Sequence, residues 1–144
     1  MAEILAVCIS DKKGTQKRPV AECRLRKGHG CEGDAHAGPW HRQVSLLADE
    51  SADVMRRKGA DIHPGDFGEN ILTKGIELKT LPIGTLLRLG RDALLKVTQI
   101  GKECHDRCAI YYKVGDCVMP REGIFAEVVQ GGVVKPGDII EVTI

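Results

Sequence analysis

The sequence has almost no net charge, because 21 lysine and arginine residues balance 20 aspartate and glutamate residues. A net charge of +1 gives no general attraction to nucleic acid or to a membrane surface, so any anion site must be local. No apolar stretch reaches the length of a membrane span, and the opening MAEILAVCIS has too short an apolar run for a secretion signal. We therefore expect a cytoplasmic protein that binds neither nucleic acid nor membrane.

The sequence also lacks several short motifs that mark common cofactor and metal sites. It has no Walker loop, and we expect neither a dinucleotide-binding nor a nucleotide-hydrolysing fold. Six cysteines are present, but no C-x-x-C and no H-x3-H pair accompanies them. In a cytoplasmic protein such cysteines are expected to be thiols or ligands, so a disulfide framework and a structural zinc site are both disfavoured.

The strand pattern predicts a single domain, residues 1–144, of mainly β structure. The length suits one ordinary domain, and 42% apolar with 28% charged residues is typical of a globular chain. ILAVCIS and RQVSLL predict strands, and TLLRLGRDALLKVTQIG predicts a β-hairpin. GIFAEVVQGGVVKPGDIIEVTI repeats the hairpin pattern, with turns at QGG and KPGD. Short strands at even spacing predict a β-barrel or sandwich with few helices.

One helix is clearly indicated, in ADESADVMRRKGAD. Its acidic residues come early and its basic residues late, which matches the helix dipole, and Gly59 follows as a C-cap. The next segment, DIHPGDFGENILTKG, is rich in Gly, Pro and Asp and predicts an ordered loop of about ten residues that leads into a short strand. Loops of this kind often carry function.

The stretch GKECHDRCAI contains the main candidate thiol. Cys104 and Cys108 lie four positions apart, so on a helix they could share a metal ion or form a disulfide, although a small apolar packing role is favoured for Cys108. Cys104 has Lys102, His105 and Arg107 as neighbours, and their positive charge favours the thiolate. A thiolate is the form that binds a soft metal or carries sulfur.

The segment GDAHAGPWHRQVSLL supplies the second set of candidates. Asp34 can orient His36, and Arg42 can bind a phosphate through two parallel hydrogen bonds, although a glycine-rich surface turn around Trp40 explains the composition equally well. The spacing of five between His36 and His41 disfavours a two-histidine metal site. An anion or pterin site is the more natural interpretation.

Two further loops add candidate binding residues. Glu69 and Asn70 lie among glycines that let backbone amides approach a ligand, and an asparagine amide suits the edge of a heterocycle; the same residues could instead satisfy a turn. Lys13 and Lys17 in DKKGTQKR could contact a phosphate, although charged loops are usually just solvated.

Six motifs in this order resemble the MOSC domain, the molybdenum cofactor sulfurase C-terminal domain, and most of all its small stand-alone bacterial members. The resemblance runs from about residue 4 to the end of the chain. It implies a β-rich barrel with a few helices, and a role in handling the molybdenum cofactor (molybdopterin) or in moving sulfur to metal centres. The motifs are EGDAHAG, RQVSLL, GDFGENILTKGIEL, LPIGTLLRLG, ALLKVTQIGKEC and GIFAEVVQGGVVKPGDII.

The resemblance also implies roles for single residues. The cysteine after the VTQ strand is the family's proposed functional residue, and it matches Cys104, which enzymatic relatives use to ligate molybdenum. His36, Arg42 and Asn70 would line the same pocket. Family members commonly have Arg-x-Pro-Cys where this chain has GKEC, so Lys102 or Arg107 would have to replace that arginine. The amidoxime-reducing relatives also carry an N-terminal β-barrel domain that this sequence lacks.

We therefore expect a protein that binds the molybdenum cofactor, or carries sulfur as a Cys104 persulfide, with a pterin cofactor or a sulfur donor or acceptor protein as partner. Three alternatives remain open. The chain could be a molybdenum-dependent oxotransferase that reduces N-hydroxylated compounds, or a non-catalytic module that docks a biosynthetic partner. It could also be a redox protein in which Cys104 and Cys108 form the reactive pair.

Overall fold

The computed structural model describes residues 2–12, 16–59, 61–101 and 123–143. Within these ranges the chain forms eleven strands, one α-helix and one short 3-10 helix at Leu78–Thr80. None of the helices in these ranges has the length and apolar character needed to span a membrane. The remaining elements are β1 (Glu3–Ile9), β2 (Arg18–Val20), β3 (Cys23–Arg26), β4 (Gly30–Cys31), β5 (Val44–Ala48), α1 (Asp49–Arg57), β6 (Ile71–Lys74), β7 (Leu86–Leu89), β8 (Ala93–Ile100), β9 (Ile124–Gln130), β10 (Gly132–Val134) and β11 (Ile140–Thr143).

The strands form two sheets, and the prediction of a mainly β fold is confirmed. The larger sheet has the order β11-β7-β8-β9-β5-β6-β1-β2 and the smaller one β10-β3-β4. All pairs are antiparallel except β5 with β6. The larger sheet is not closed into a barrel, although the amide of Ile4 in β1 donates at 2.9 Å to the carbonyl of Asp138, just before β11. The barrel detail of the prediction therefore stays unconfirmed.

The central strand β5 is buried along its whole length because both faces of the sheet are covered there. Leu46 faces a core cluster that includes Val7 and Leu25, so this cluster fills the space between the two sheets. Leu47 faces the other cluster, with Met55 of α1. The residues that follow and precede β5 are thus held against a rigid part of the fold.

The helix matches its prediction in both charge order and C-cap. α1 has Asp49 and Glu50 in its first turn and Arg56 and Arg57 in its last. Gly59 has a φ of 95°, and its amide donates to the Arg56 carbonyl at 3.0 Å, which satisfies a carbonyl at the helix end. The connection between parallel strands β5 and β6 therefore runs through a helix, as such connections usually do.

The strand pairing of the second half was predicted only in part. The β7–β8 hairpin is confirmed, with Leu89 opposite Ala93. The hairpins expected at QGG and KPGD are wrong, because β9 pairs with β8 and β5, β10 with β3, and β11 with β7. A Cβ at Gly131 would lie 2.6 Å from the Leu25 carbonyl oxygen, so the chain crosses closely onto the second sheet at this turn. Alternation of apolar residues identifies a strand but not its partner.

The smaller sheet contains a glycine string that the sequence alone could misassign. GHGCEG, residues 28–33, has the spacing of a dinucleotide-binding motif. That motif binds pyrophosphate only where a strand precedes it and a helix follows it. Here the string forms the β3–β4 hairpin and is followed by turns before β5, so its glycines serve the hairpin.

Candidate functional site

A fully buried ion pair lies at the centre of the candidate site. Lys17 Nζ is 2.7 Å from Asp34 Oδ1, and neither side chain is exposed to solvent. Lys17 comes directly before β2, and Asp34 follows the β3–β4 hairpin. The amide of Ser10, at the end of β1, also donates to Asp34 Oδ1 at 3.0 Å. Three separate parts of the chain are therefore joined by one carboxylate.

The same ammonium group contacts the His36 ring. Lys17 Nζ lies 3.0 Å from His36 Nδ1 and 3.2 Å from Ser10 Oγ. Asp34 contacts the main chain of His36, whose amide donates to Asp34 Oδ2 at 3.2 Å. The sequence predicted that Asp34 orients His36; in the structure Lys17 makes the contact to the ring and Asp34 holds Lys17.

Asp34 is held as a carboxylate by these contacts. Burial by itself would raise the pKa of Asp34, but the hydrogen bonds from the side chain of Lys17 and the amide of Ser10, together with the positive charge of Lys17, outweigh it, and the pKa lies below its ordinary value. Asp34 is therefore ionised at neutral pH and accepts from Lys17 as a carboxylate.

Arg42 lies between two aromatic rings. Its guanidinium carbon is 4.5 Å from the centre of the Phe125 ring and 5.4 Å from that of Trp40. Trp40 in turn donates from Nε1 to the His36 carbonyl at 2.7 Å, so the Arg42 and His36 segments are coupled. Arg42 Nε is buried and has no hydrogen-bond partner in the part of the chain that the structure describes. A buried donor of this kind needs an acceptor.

The strand ends that flank residues 102–122, which include Cys104, lie beside this cluster. Residues 102–122 join β8 to β9, and the amide of Gly101 donates to the Gly123 carbonyl at 2.6 Å. Phe125, two residues after Gly123, is the ring that contacts Arg42, and Gln99, two residues before Gly101, contacts His41 at 2.9 Å. Four predicted site residues lie outside the described residues: Lys13, Lys102, Cys104 and Arg107.

Asn70 lies beneath the site and is engaged within the fold. Its Oδ1 accepts from the Ser45 amide at 3.0 Å and the Ser45 hydroxyl at 3.1 Å, and its Nδ2 donates to the Cys8 carbonyl at 3.1 Å. These bonds tie β1 to β5 next to Asp34. The structure thus brings Asn70 close to Asp34 and Lys17, where it connects β1 to β5.

Glu69 is turned into its own loop. Its two carboxyl oxygens accept from the amides of Gly65 at 2.8 Å and Phe67 at 3.1 Å, and the residue is only 1% exposed. Burial raises the pKa of Glu69 to about 7, and this effect exceeds the lowering by hydrogen bonds from backbone amides. Glu69 therefore shapes the loop that leads to Asn70.

This raised pKa predicts a pH dependence of stability. In the unfolded chain Glu69 loses its proton near pH 4.5, whereas in the folded chain it does so near pH 7, so folding becomes less favourable as the pH rises between these values. The loss should be about 3 kcal/mol in the free energy of unfolding. We expect urea titrations from pH 4.5 to 7.5 to give a steeper decline for the wild type than for Glu69→Gln.

The matched control is Glu22→Gln, because Glu22 is exposed. This variant should follow the wild type across the same range. Titration of Asp34, whose folded pKa is lowered, affects stability only in more acidic solution, so it does not confuse the comparison. Parallel curves for the wild type and Glu69→Gln would contradict the prediction.

The cysteines that the structure describes are poor candidates for a reactive thiol. Cys8, Cys23 and Cys31 are all buried and free. Burial raises the pKa of Cys8 to about 12, which makes it inert. A hydrogen bond between Cys23 and Cys31 lowers the pKa of Cys23 and raises that of Cys31, but both side chains lie in the core.

Some residues of the site were missed by the sequence analysis. Ser10 and Ser45 are single polar residues at a strand end or within a buried strand, and no local pattern distinguishes them from ordinary strand serines. Phe125 was assigned only to a strand. Its position opposite Gln99 in the β8–β9 pair, which brings it to Arg42, depends on the sheet register.

A known domain family and several solved structures are similar to this chain. A family model described as the MOSC domain matches residues 32–141. The YUAD protein from Bacillus subtilis is similar in structure, with a TM-score of 0.81 and 21% identity, over 99% of this chain and 96% of that one. YiiM from Geobacillus stearothermophilus has a TM-score of 0.74 and 20% identity, over 100% of this chain and 76% of that one. YiiM from Escherichia coli has a TM-score of 0.65 and 20% identity, over 99% of this chain and 68% of that one. These structural likenesses establish the fold alone. The comparison with curated proteins found no match.

Proposed function

Since the chain belongs to the MOSC domain family, whose members are associated with the molybdenum cofactor, we propose that it binds this cofactor with Cys104 as the thiolate ligand. The observation that carries the proposal is the state of Arg42. A guanidinium fixed between two aromatic rings, with a buried Nε that lacks an acceptor among the described residues, suits a bound anion.

The described residues fit an anionic pterin. Arg42 would hold the phosphate of such a cofactor, because the donors of a guanidinium form a planar fork that suits phosphate. Trp40 and Phe125 hold the guanidinium in place, so little side-chain entropy is lost on binding. His36, fixed by Lys17 and by Trp40, lies next along the same surface of the fold.

The buried residues beneath would act by position. The sequence suggested that Lys17 could contact a phosphate. Because Lys17 is fully buried and paired with Asp34, it would instead support His36. Asn70 and Ser45 connect β1 to β5 across the intervening strand β6, beneath this pair. When bound, the cofactor would supply a redox-active molybdenum centre, and Cys104 would hold that metal through sulfur.

A sulfur-carrier role for the same thiol is the second candidate. It is favoured by the positive neighbours Lys102 and Arg107, and by the burial of Cys8 and the other described cysteines. The Cys104 thiolate would attack the outer sulfur of a persulfide donor. The S–S bond of the donor breaks, its thiolate leaves, and Cys104 keeps the transferred sulfur as a persulfide.

The test is the cofactor content of protein purified from a molybdenum-replete host. We expect the wild type to carry molybdenum and pterin, and Arg42→Gln to carry about tenfold less pterin, because a charge-assisted contact is lost. Cys104→Ser should retain pterin but carry less molybdenum per pterin than the wild type. Metal analysis measures molybdenum, fluorescence after oxidation measures pterin, and intact mass measures any additional sulfur on Cys104.

Arg88→Gln is the matched control. Arg88 is a partly buried arginine on β7, which β8 and β9 separate from β5. This variant should keep the wild-type content of both metal and pterin. Wild-type protein that never acquires molybdenum, pterin or an additional sulfur on Cys104, even after reaction with a persulfide donor, would sink both candidates.

A further inference from the structure

The contacts of Lys17 determine which nitrogen of His36 carries the proton. A lysine ammonium has three donors and no acceptor. In this structure it has three partners, namely Asp34 Oδ1 at 2.7 Å, His36 Nδ1 at 3.0 Å and Ser10 Oγ at 3.2 Å. Each partner must therefore accept a hydrogen bond from Nζ.

The other hydrogen bonds of the cluster agree with this assignment. Ser10 Oγ donates its own hydrogen to the Lys12 carbonyl at 3.0 Å, so towards Lys17 it can only accept. Asp34 accepts from the amides of Ser10 and His36 in addition to Lys17, as expected of an ionised carboxylate. No further donor is needed to satisfy these atoms, and none of them has a hydrogen to offer His36 Nδ1.

We propose that Lys17 is a positioning residue that fixes His36 as the neutral tautomer with its proton on Nε2. A proton on Nδ1 would place two donors 3.0 Å apart and leave the buried ammonium without its third acceptor. His36 therefore presents an N–H donor at Nε2. Neither ring nitrogen then offers a free lone pair to a metal ion, because Nε2 carries the proton and Nδ1 accepts from Lys17.

The tautomer can be measured without any cofactor. In full-length protein with 15N-labelled histidine, a long-range 15N–1H spectrum at neutral pH should give His36 a protonated Nε2 and an unprotonated, hydrogen-bonded Nδ1. The double variant Lys17→Met/Asp34→Asn removes the ammonium without leaving a buried carboxylate, and it should shift the ring towards the Nδ1–H form. A wild-type ring protonated at Nδ1, protonated at both nitrogens or averaged between tautomers would overturn the proposal.

The spectrum needs no pterin, so it decides the tautomer whether or not the proposed function holds.

Discussion

Replacement of Lys17 by methionine should lower the free energy of unfolding by about 3–5 kcal/mol, because it leaves a buried carboxylate without its counter-ion. Both members of the Lys17–Asp34 pair are completely shielded from solvent. Methionine fills nearly the same volume, so the loss comes from the charge and its three hydrogen bonds and not from a cavity. Urea denaturation at pH 7 measures the change.

Two further variants make the result specific. Lys96→Met removes an exposed lysine from β8 and should change stability by less than about 0.5 kcal/mol. Lys17→Met/Asp34→Asn should be more stable than Lys17→Met alone, because the uncompensated charge is gone while the amide oxygen still accepts from Ser10. If the double variant is less stable than the single one, the cost does not arise from an unpaired carboxylate.

The elements that could be predicted from the sequence are those with a local cause. The bounds of α1 follow from charge order and from the backbone freedom of Gly59. The β7–β8 hairpin follows from two apolar runs separated by GRD. The family, too, could be identified, because its motifs are short local strings. In each case the information lies within about twenty residues.

The role of Lys17 could not be predicted in this way. In DKKGTQKR it is one cation among several, and such loops are normally solvated. Its burial depends on a carboxylate 17 residues away and on a glycine 48 residues away, at Gly65. The partners of β9, β10 and β11 were missed for the same reason, because pairing between distant strands leaves no mark in the local pattern.

Alanine at Gly65 should destabilise the fold by about 4 kcal/mol, among the largest effects of any single substitution. A Cβ at this position would lie 2.1 Å from the Lys17 carbonyl oxygen, and that oxygen belongs to backbone that cannot rotate away. The Gly65 carbonyl also accepts from the Lys17 amide at 2.9 Å, so the two segments would have to separate. The φ of 90° adds the usual strain of a left-handed residue.

Gly68→Ala separates the steric contact from the backbone strain. Gly68 has a φ of 78° in the same loop, but a Cβ there would meet nothing within 4 Å, so its loss should be only about 1 kcal/mol. Because Gly65→Ala displaces the backbone of Lys17, it should also alter the His36 ring nitrogen resonances, which Gly68→Ala should leave unchanged. Equal destabilisation by the two variants, with identical His36 spectra, would mean that the Gly65 contact does not set the position of Lys17.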